Sequence, residues 1–174
     1  MNKIFDDNEG LINLIKGYDP EKIIFIVSCT KEKIWDDNDD LLVYISAEKA
    51  YTGKEFKSFL EWYHKNNFKK LGYFWIILSG KYGFIEPDHP ISWYDINLSN
   101  PNHYAISKKS LQNQIKQLRK WKKDTSNLSY QIRLQDFETI VCINCSRKYL
   151  KTIKKCFMNK TYIFVKDINN LESI

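Results

Sequence analysis

The chain has 174 residues, a net charge of +6 and 43% hydrophobic residues, values typical of one globular domain that buries a core. No apolar run reaches the ~20 residues that a membrane helix needs, and the first ten residues are acidic where a signal peptide is basic. The four cysteines do not have the spacing of a disulfide framework. We therefore expect a cytoplasmic protein with reduced thiols and no membrane partner.

The charge is divided unevenly along the chain. Residues 1–50 hold 6 basic and 11 acidic residues, whereas residues 51–174 hold 21 basic and 10 acidic residues. This asymmetry predicts a phosphate-binding surface on the second part. Lys outnumbers Arg by 24 to 3, which is also typical of an AT-rich genome, and Arg is the usual reader of bases. A nucleotide or nucleic-acid partner and an ordinary solvated surface both fit the composition.

Hydrophobic periodicity predicts alternating strands and helices. Near-continuous apolar runs are typical of strands buried on both faces, and apolar residues at i, i+3 and i+4 are typical of amphipathic helices. The predicted elements are a leading helix within residues 1–20, strand Lys22–Ser28, helix Ala47–Lys65, strand Tyr73–Ser79, helix Ser107–Lys123, strand Glu138–Asn144, helix Arg147–Phe157 and strand Thr161–Val165. This order predicts a single α/β domain over residues 1–174, a three-layer α/β/α sandwich around a mainly parallel sheet of about four strands.

A long connection covers residues 80–106 and holds three of the four prolines and two of the three histidines. Connections longer than ~12–15 residues in a compact domain are usually functional or disordered. This one is rich in aromatic residues, which argues against disorder. We expect a functional loop.

Small polar residues and cations follow three of the predicted strands, at Ser28–Lys31, Ser79–Gly83 and Asn144–Arg147. In a parallel sheet, ligands bind outside the carboxyl ends of the strands. We therefore expect the first two turns to lie side by side and all three to converge on one positively charged pocket.

The first of these turns continues to Lys33. Its small residues allow backbone N–H groups to face an anion, and Lys31 and Lys33 supply charge. It lacks the glycines of a P-loop, which excludes a Walker-type ATPase. Cys29 is either a nucleophile beside two lysines that favour the thiolate or a half-buried cysteine that packs at a strand end.

The second turn has two glycines around Lys81, which permit a tight turn and close approach of a ligand. A plain Gly-containing turn is the alternative. Three carboxylates follow, Glu86, Asp88 and Asp95, and each is suited to activating water or stabilising an oxocarbenium-like cation. We favour Asp95, for which the alternative is an Asx turn.

Other patterns give weaker signals. The Cys142–Cys145 pair has C-x-x-C form but leaves a buried strand and has no second ligand pair, so neither a zinc site nor any other metal or cofactor is expected. The acidic run Asp36–Asp40 lacks the glycine and terminal Glu of an EF-hand. Basic residues of the later helices are suited to a nucleic-acid backbone, with a solvated lysine face as the alternative. They are Lys116, Lys120, Lys123, Arg147 and Lys151.

Four motifs resemble a family of small prokaryotic proteins of uncharacterised function. They are Ser28-Cys-Thr-Lys-x-Lys33, Ala50-Tyr51-Thr52-Gly53-x-x-Phe56-Lys57, Leu78-Ser79-Gly80-Lys81-Tyr82-Gly83-Phe84-Ile85-x-Pro87 and Ile91-x-x-Tyr94-Asp95. Gly80 stands where that family more often has Ala. Such domains are distantly similar to the peroxide-stress protein family and to the uracil-DNA-glycosylase-like superfamily, and members are associated with deazaguanine modification of tRNA and DNA. The resemblance covers roughly residues 22–98.

The resemblance implies an α/β/α sandwich and a role linked to nucleobases, although the water-activating motif of uracil glycosylases is not recognisable. Together with the turns, it predicts an N-glycosidase-like enzyme that acts on a base in a nucleotide, DNA or tRNA. The alternatives are a non-catalytic nucleic-acid-binding module, or accessory subunit of a partner enzyme, and a Cys29-dependent thiol enzyme. The expected catalytic residues are Asp95, Lys81 and Cys29. The expected substrate-binding residues are Ser28, Thr30, Lys31, Lys33, Tyr51, Thr52, Ser79, Gly80, Tyr82, Gly83, Trp93 and Tyr94.

Overall fold

The computed structural model describes residues 2–4, 8–37, 44–98, 104–122, 129–166 and 168. It shows a mixed α/β fold with a mainly parallel central sheet. The strands are β1 (Asn2–Ile4), β2 (Ile23–Ser28), β3 (Ile45–Ser46), β4 (Phe74–Ser79), β5 (Gly83–Ile85), β6 (Pro90–Ile91), β7 (Leu118–Lys122), β8 (Ser129–Arg133), β9 (Thr139–Ile143) and β10 (Thr161–Val165). The helices are α1 (Asn8–Lys16), α2 (Ala47–Ala50), α3 (Lys54–Lys65), α4 (Lys108–Lys116) and α5 (Arg147–Cys156).

The central sheet has the order β1-β10-β9-β2-β4-β5. The four predicted strands, β2, β4, β9 and β10, are confirmed, and the short strands β1 and β5 extend the sheet at its two edges. Every pair is parallel except β4 and β5. Ser28 lies opposite Leu78 of β4, and Val27 lies opposite Ile143 of β9. This register brings the turns that follow β2, β4 and β9 to the same edge of the sheet.

Apolar side chains of β2 enter both hydrophobic clusters of the protein because successive residues of a strand point to opposite faces. Phe25 belongs to the cluster that also contains buried residues of α1 and α3, whereas Ile24 and Ile26 belong to the one that contains α4 and α5. Phe25 is fully buried and contacts five aromatic rings with centroids 5.2–6.4 Å away. Much of the high aromatic content therefore serves the core.

The helix predicted over Ala47–Lys65 is interrupted, so that prediction is wrong in its middle. The chain leaves the helical path at Tyr51–Gly53, between α2 and α3. There Tyr51 forms an isolated antiparallel bridge with Lys33, and the Thr52 N–H donates to the Glu32 carbonyl at 3.1 Å. Backbone pairing with the loop after β2 thus replaces about one turn of helix.

The helix predicted over Ser107–Lys123 is wrong in its second half. Helix α4 ends at Lys116, and β7 pairs with β8 as an antiparallel hairpin. Consequently Lys116 and Lys120 do not share a helix face, and Lys123 lies outside the described residues. Arg119 of β7 faces inward. Its guanidinium donates to Glu86 Oε1 at 2.6 Å and to the Phe84 carbonyl at 3.0 Å.

The described part of the connection over residues 80–106, which is residues 80–98 and 104–106, contains two short strands. Strand β5 extends the central sheet beside β4, and β6 pairs with β3. Gly83, at the start of β5, has a φ of +79°, a left-handed backbone conformation that residues with a side chain rarely adopt. The backbone conformation therefore requires glycine at this position. None of the described helices is both long and apolar enough to cross a membrane.

We expect Arg119→Gln to lower the free energy of unfolding by about 1–3 kcal/mol, because hydrogen bonds to charged groups are the costly ones to lose and Glu86 would keep a half-buried carboxylate without its cation. The measurement is urea unfolding. Lys120→Gln, one residue along the same strand and exposed, is the control and should change stability by less than about 0.5 kcal/mol. Equal effects of the two substitutions would show that the ion pair does not hold the hairpin.

Candidate functional site

A cleft of about 330 Å3 opens at the carboxyl edge of the sheet, a volume at the lower end of the range for small-molecule sites. Three parts of the chain form it: the loop after β2, the segment after β6, and the turn from β9 into α5. Its lining residues are Ser28, Cys29, Thr30, Lys31, Lys33, Asp95, Ile96, Asn97, Asn144, Ser146 and Tyr149. Six of these are residues that the sequence predicted for the site, and they come from two separate motifs.

The turns after β2 and β4 lie side by side, and the Cys29 N–H donates to the Leu78 carbonyl at 3.1 Å. The cleft, however, lies on the β9 side of the β2 turn. Residues Ser79–Gly83 do not line it. The expected convergence therefore joins the first and third turns, and the second turn supports them from behind.

Tyr94 links this supporting turn to the rest of the site. Its hydroxyl hydrogen-bonds to Ser79 at 2.7 Å and to the hydroxyl of Tyr51. The Ser79 hydroxyl oxygen accepts hydrogen bonds from the N–H groups of Lys81 and Tyr82. Because these two bonds use both of its lone pairs, the Ser79 O–H donates to the Tyr94 hydroxyl. Burial raises the pKa values of Tyr51 and Tyr94 above the ordinary value of a tyrosine. Both hydroxyl groups therefore remain protonated at neutral pH.

Tyr51 and Tyr94, which were predicted to frame a base, lie behind the cleft. Tyr51 is 1% exposed and Tyr94 is 4% exposed, and neither lines the cleft. Their hydroxyl groups hydrogen-bond to each other inside the protein. Trp93 is 55% exposed and donates to Asp36 Oδ1 at 3.2 Å, so it lies at the surface outside the cleft lining.

Lys33 is a buried cation at the base of the site. It is 4% exposed, its Nζ donates to the Lys31 carbonyl at 2.9 Å, and it lies 4.5 Å from the centroid of the Tyr94 ring. Burial lowers its pKa, while the nearby Cys29 and Asp95 oppose that shift. Its position suits it to setting the electrostatic field in the cleft, in contrast to the predicted role of a phosphate-binding surface lysine.

Two further lysines were predicted here. Lys31 is exposed and lines the cleft. Lys81 does not line it: its Nζ lies 5.0 Å from the centroid of the Tyr82 ring and 5.5 Å from that of Tyr94. These cation–π contacts place the ammonium group over the aromatic rings behind the cleft. The catalytic role of Lys81 stays a prediction.

Two motif glycines permit close packing between segments of the chain. A Cβ at Gly80 would lie 2.7 Å from the Asn97 Cα and the Ile96 carbonyl oxygen, and one at Gly53 would lie 2.6 Å from the Thr30 Cβ. The Gly53 N–H also donates to Thr30 Oγ1 at 3.3 Å. Gly80 was predicted to permit close approach of a ligand, and in the structure it permits close approach of the backbone next to Asp95. Gly53 permits close approach of the Thr30 side chain.

Cys29 lines the cleft with its Sγ 3.3 Å from the Tyr149 hydroxyl. Burial raises the pKa of Tyr149, which keeps this phenol neutral. His89 packs its ring against Tyr82, with centroids 5.9 Å apart, and His103 lies outside the described residues. The geometry is compatible with either prediction for Cys29, a nucleophile or a packing residue.

The remaining predicted carboxylates lie outside the cleft lining. Glu86 forms the ion pair with Arg119, and Asp88 is exposed. The C-x-x-C cysteines do not form a ligand pair: Cys142 is buried in β9, and Cys145 donates to the Ile143 carbonyl at 3.3 Å. In the part of the chain that the structure describes, no group of three or more His, Cys, Asp or Glu could hold a metal ion.

The sequence interpretation missed five lining residues. Asn144 and Ser146 belong to the third turn, which was expected at the pocket, but neither was selected. Asn144 has a φ of +50°, its Nδ2 donates to the Glu55 carbonyl at 3.0 Å, and its buried Oδ1 has no hydrogen-bond partner among the described residues. Ile96, Asn97 and Tyr149 carry no local sequence signal, because only the tertiary fold brings them here.

The comparisons with known proteins identify one relative and no family. No protein-family model matches the chain, and no solved structure matches it. Over 95 residues, it is 34% identical to the uncharacterised protein YfjM of Bacillus subtilis (strain 168), an alignment that covers 54% of this chain and 59% of that protein. The chain thus spans less than two thirds of this relative. Because that protein is itself uncharacterised, the similarity assigns no activity.

The lowered pKa of Lys33 predicts a pH effect on stability. At a pH below this lowered pKa, the folded protein contains a buried ammonium group, which reduces the free energy of unfolding. As the pH rises toward the ordinary value of 10.5, the folded state loses the Lys33 proton before the unfolded state does. The destabilisation by the buried charge therefore disappears. The unfolding free energy of the wild type should therefore rise relative to that of Lys33→Met between pH 7 and pH 10.5. Urea unfolding at several pH values measures this difference.

Lys31→Met, which removes an exposed lysine of the same loop, is the matched control. It separates the contribution of Lys33 from the titration of the buried tyrosines, which all three proteins share. If the difference between wild type and Lys33→Met is the same at every pH, burial of the Lys33 charge is not what that lysine contributes to the fold.

Proposed function

We propose that the protein is an N-glycosidase-like enzyme that hydrolyses or exchanges a base, canonical or modified, in a nucleotide or nucleic acid. The observation that carries this proposal is the position of Asp95, which lines the same cleft as Lys31 and Cys29 at the carboxyl edge of a parallel sheet. A carboxylate in a cleft with fixed cations is suited to a reaction that develops positive charge on a ribosyl ring. We also propose a three-layer α/β/α sandwich as the class of this fold.

In the proposed hydrolysis, a water oxygen bonds to C1′ of the sugar while the N-glycosidic bond breaks and its electron pair leaves with the base. The carboxylate of Asp95 accepts the proton of the water and stabilises the cationic sugar in the transition state. The departing base takes up this proton, so the products are a free base and a sugar hydroxyl, and Asp95 is again a carboxylate. In exchange, a second base replaces the water.

One other feature of the cleft favours an anionic substrate. Lys31 offers an exposed ammonium group for a phosphate. It lines the cleft together with Asp95.

Asp95→Asn should reduce base release by roughly 10²–10⁴-fold and leave substrate binding and stability nearly unchanged, because the amide keeps the size of the side chain but removes its charge. Substrates are the nucleoside 5′-monophosphates, a 7-deazaguanine nucleotide, a DNA duplex and tRNA, and the free base is quantified chromatographically. Asp88→Asn, at an exposed carboxylate outside the cleft lining, is the matched control.

The competing account makes Asp95 a turn residue, worth ~0.5–2 kcal/mol of stability. It predicts a lower melting temperature with an unchanged rate per folded molecule, and that pattern would remove Asp95 from the mechanism. No base release by the wild type from any of these substrates would overturn the proposed reaction.

A non-catalytic nucleic-acid-binding module is the second candidate. Its supporting observation is that Arg147 and Lys151, on α5 beside the cleft, are exposed, as are Lys116 and Lys120. The module account predicts binding to a polynucleotide without release of a base, so the substrate panel separates the two candidates.

A further inference from the structure

The two helices on one face of the sheet carry cations and no carboxylate. Helix α4 has the sequence KKSLQNQIK and α5 has RKYLKTIKKC. All eight of their cations are exposed, and none pairs with a carboxylate within the described part of the chain. We call these residues the basic face. They are Lys108, Lys109, Lys116, Arg147, Lys148, Lys151, Lys154 and Lys155.

The helices on the opposite face mix both signs of charge. Helix α1 has Glu9 and Lys16, and the sequence of α3, KEFKSFLEWYHK, contains two glutamates among its lysines. A lysine-rich genome would place Lys on both faces, but it would not exclude Asp and Glu from the α-helices of only one. The segregation of charge is therefore a property of α4 and α5 and not of the overall composition.

The two helices of the basic face lie on the same side of the sheet, and α5 begins at the cleft. Leu111 of α4 and Ile153 of α5 belong to one buried cluster, so the two helices cover the same side of the sheet. On α5, Arg147, Lys151 and Lys154 follow the i, i+4, i+7 spacing of a single stripe. The cations of α5 span about 12 Å of helix, which corresponds to roughly three or four phosphates of one strand. Tyr149, in the first turns of α5, lines the cleft.

We propose that the substrate is a polynucleotide whose phosphodiester backbone lies along the basic face and leads the target nucleotide into the cleft. The claim that the target nucleotide enters the cleft rests on the proposed function. The claim that the phosphodiester backbone binds along the basic face rests on the charge of α4 and α5. A bilayer surface fits less well, because membrane-binding helices also expose large apolar side chains and neither α4 nor α5 does so. The shared chemistry of DNA and RNA backbones is what this face recognises.

The test compares two variants with the same change in net charge. One carries Lys109→Gln, Lys148→Gln and Lys151→Gln on the basic face; the other carries Lys16→Gln, Lys54→Gln and Lys57→Gln on the opposite face. Binding of a labelled 20-base-pair DNA duplex, of an RNA hairpin of the same length and of anionic phosphatidylserine vesicles is measured from 50 to 200 mM salt. Circular dichroism confirms that both variants are folded.

We expect the wild type to bind at least one of the two polynucleotides, with log K falling linearly against log salt concentration. The basic-face variant should bind about 10- to 1,000-fold more weakly at 50 mM salt, with a slope smaller by about two to three, and the opposite-face variant should match the wild type. Equal loss in the two variants, no binding to either polynucleotide, or a preference for the vesicles would overturn the inference.

These failures are distinguishable from failure of the proposed reaction. Base release from mononucleotides without polynucleotide binding would overturn the inference that the basic face binds a polynucleotide and would leave the proposed reaction standing. Polynucleotide binding that depends on the basic face, with no base released from any substrate, would support that inference and overturn the proposed reaction.

Discussion

The hydroxyl of Tyr94 is the contact on which the geometry of the site depends. It hydrogen-bonds to Ser79 at the end of β4 and to Tyr51 between α2 and α3, while the ammonium group of Lys33 lies against its ring. Three distant segments therefore meet at one buried phenol. Because a buried hydroxyl without partners costs about 1–3 kcal/mol, each segment is held in the conformation that satisfies it. Asp95, the next residue, therefore follows a backbone position that is held beside the cleft, and its side chain is exposed there.

The residues of the sequence motifs divide into two groups by this geometry. Those after β2, together with Asp95, line the cleft, whereas those after β4 and between α2 and α3 form the support that holds them in place. Gly53 and Gly80 belong to the support, because each lets another segment approach closer than a Cβ would allow. A binding site needs both parts, since the lining residues are precise only if the packing behind them is rigid.

The sequence predicted the parallel strands correctly because β2, β4, β9 and β10 are continuous apolar runs that only a doubly covered strand explains. It also predicted that the turns would meet at one sheet edge. It failed where tertiary pairing overrides local pattern: the bridge between Tyr51 and Lys33 breaks a helix, and the hairpin of β7 ends another. For a similar reason, the burial of Tyr51 and Tyr94 was not predicted. An aromatic residue in a motif suggests stacking on a ligand, but burial of Tyr94 becomes visible only when Ser79 and Tyr51 are placed beside it.

The central proposal is that the cleft between the β2 turn and the β9 turn binds a nucleotide. A crystal structure of the wild-type protein grown with a nucleoside 5′-monophosphate tests this proposal. We expect the sugar beside Asp95 and the phosphate at Lys31. A nucleotide bound elsewhere on the protein, with this cleft occupied only by water, would overturn the proposal.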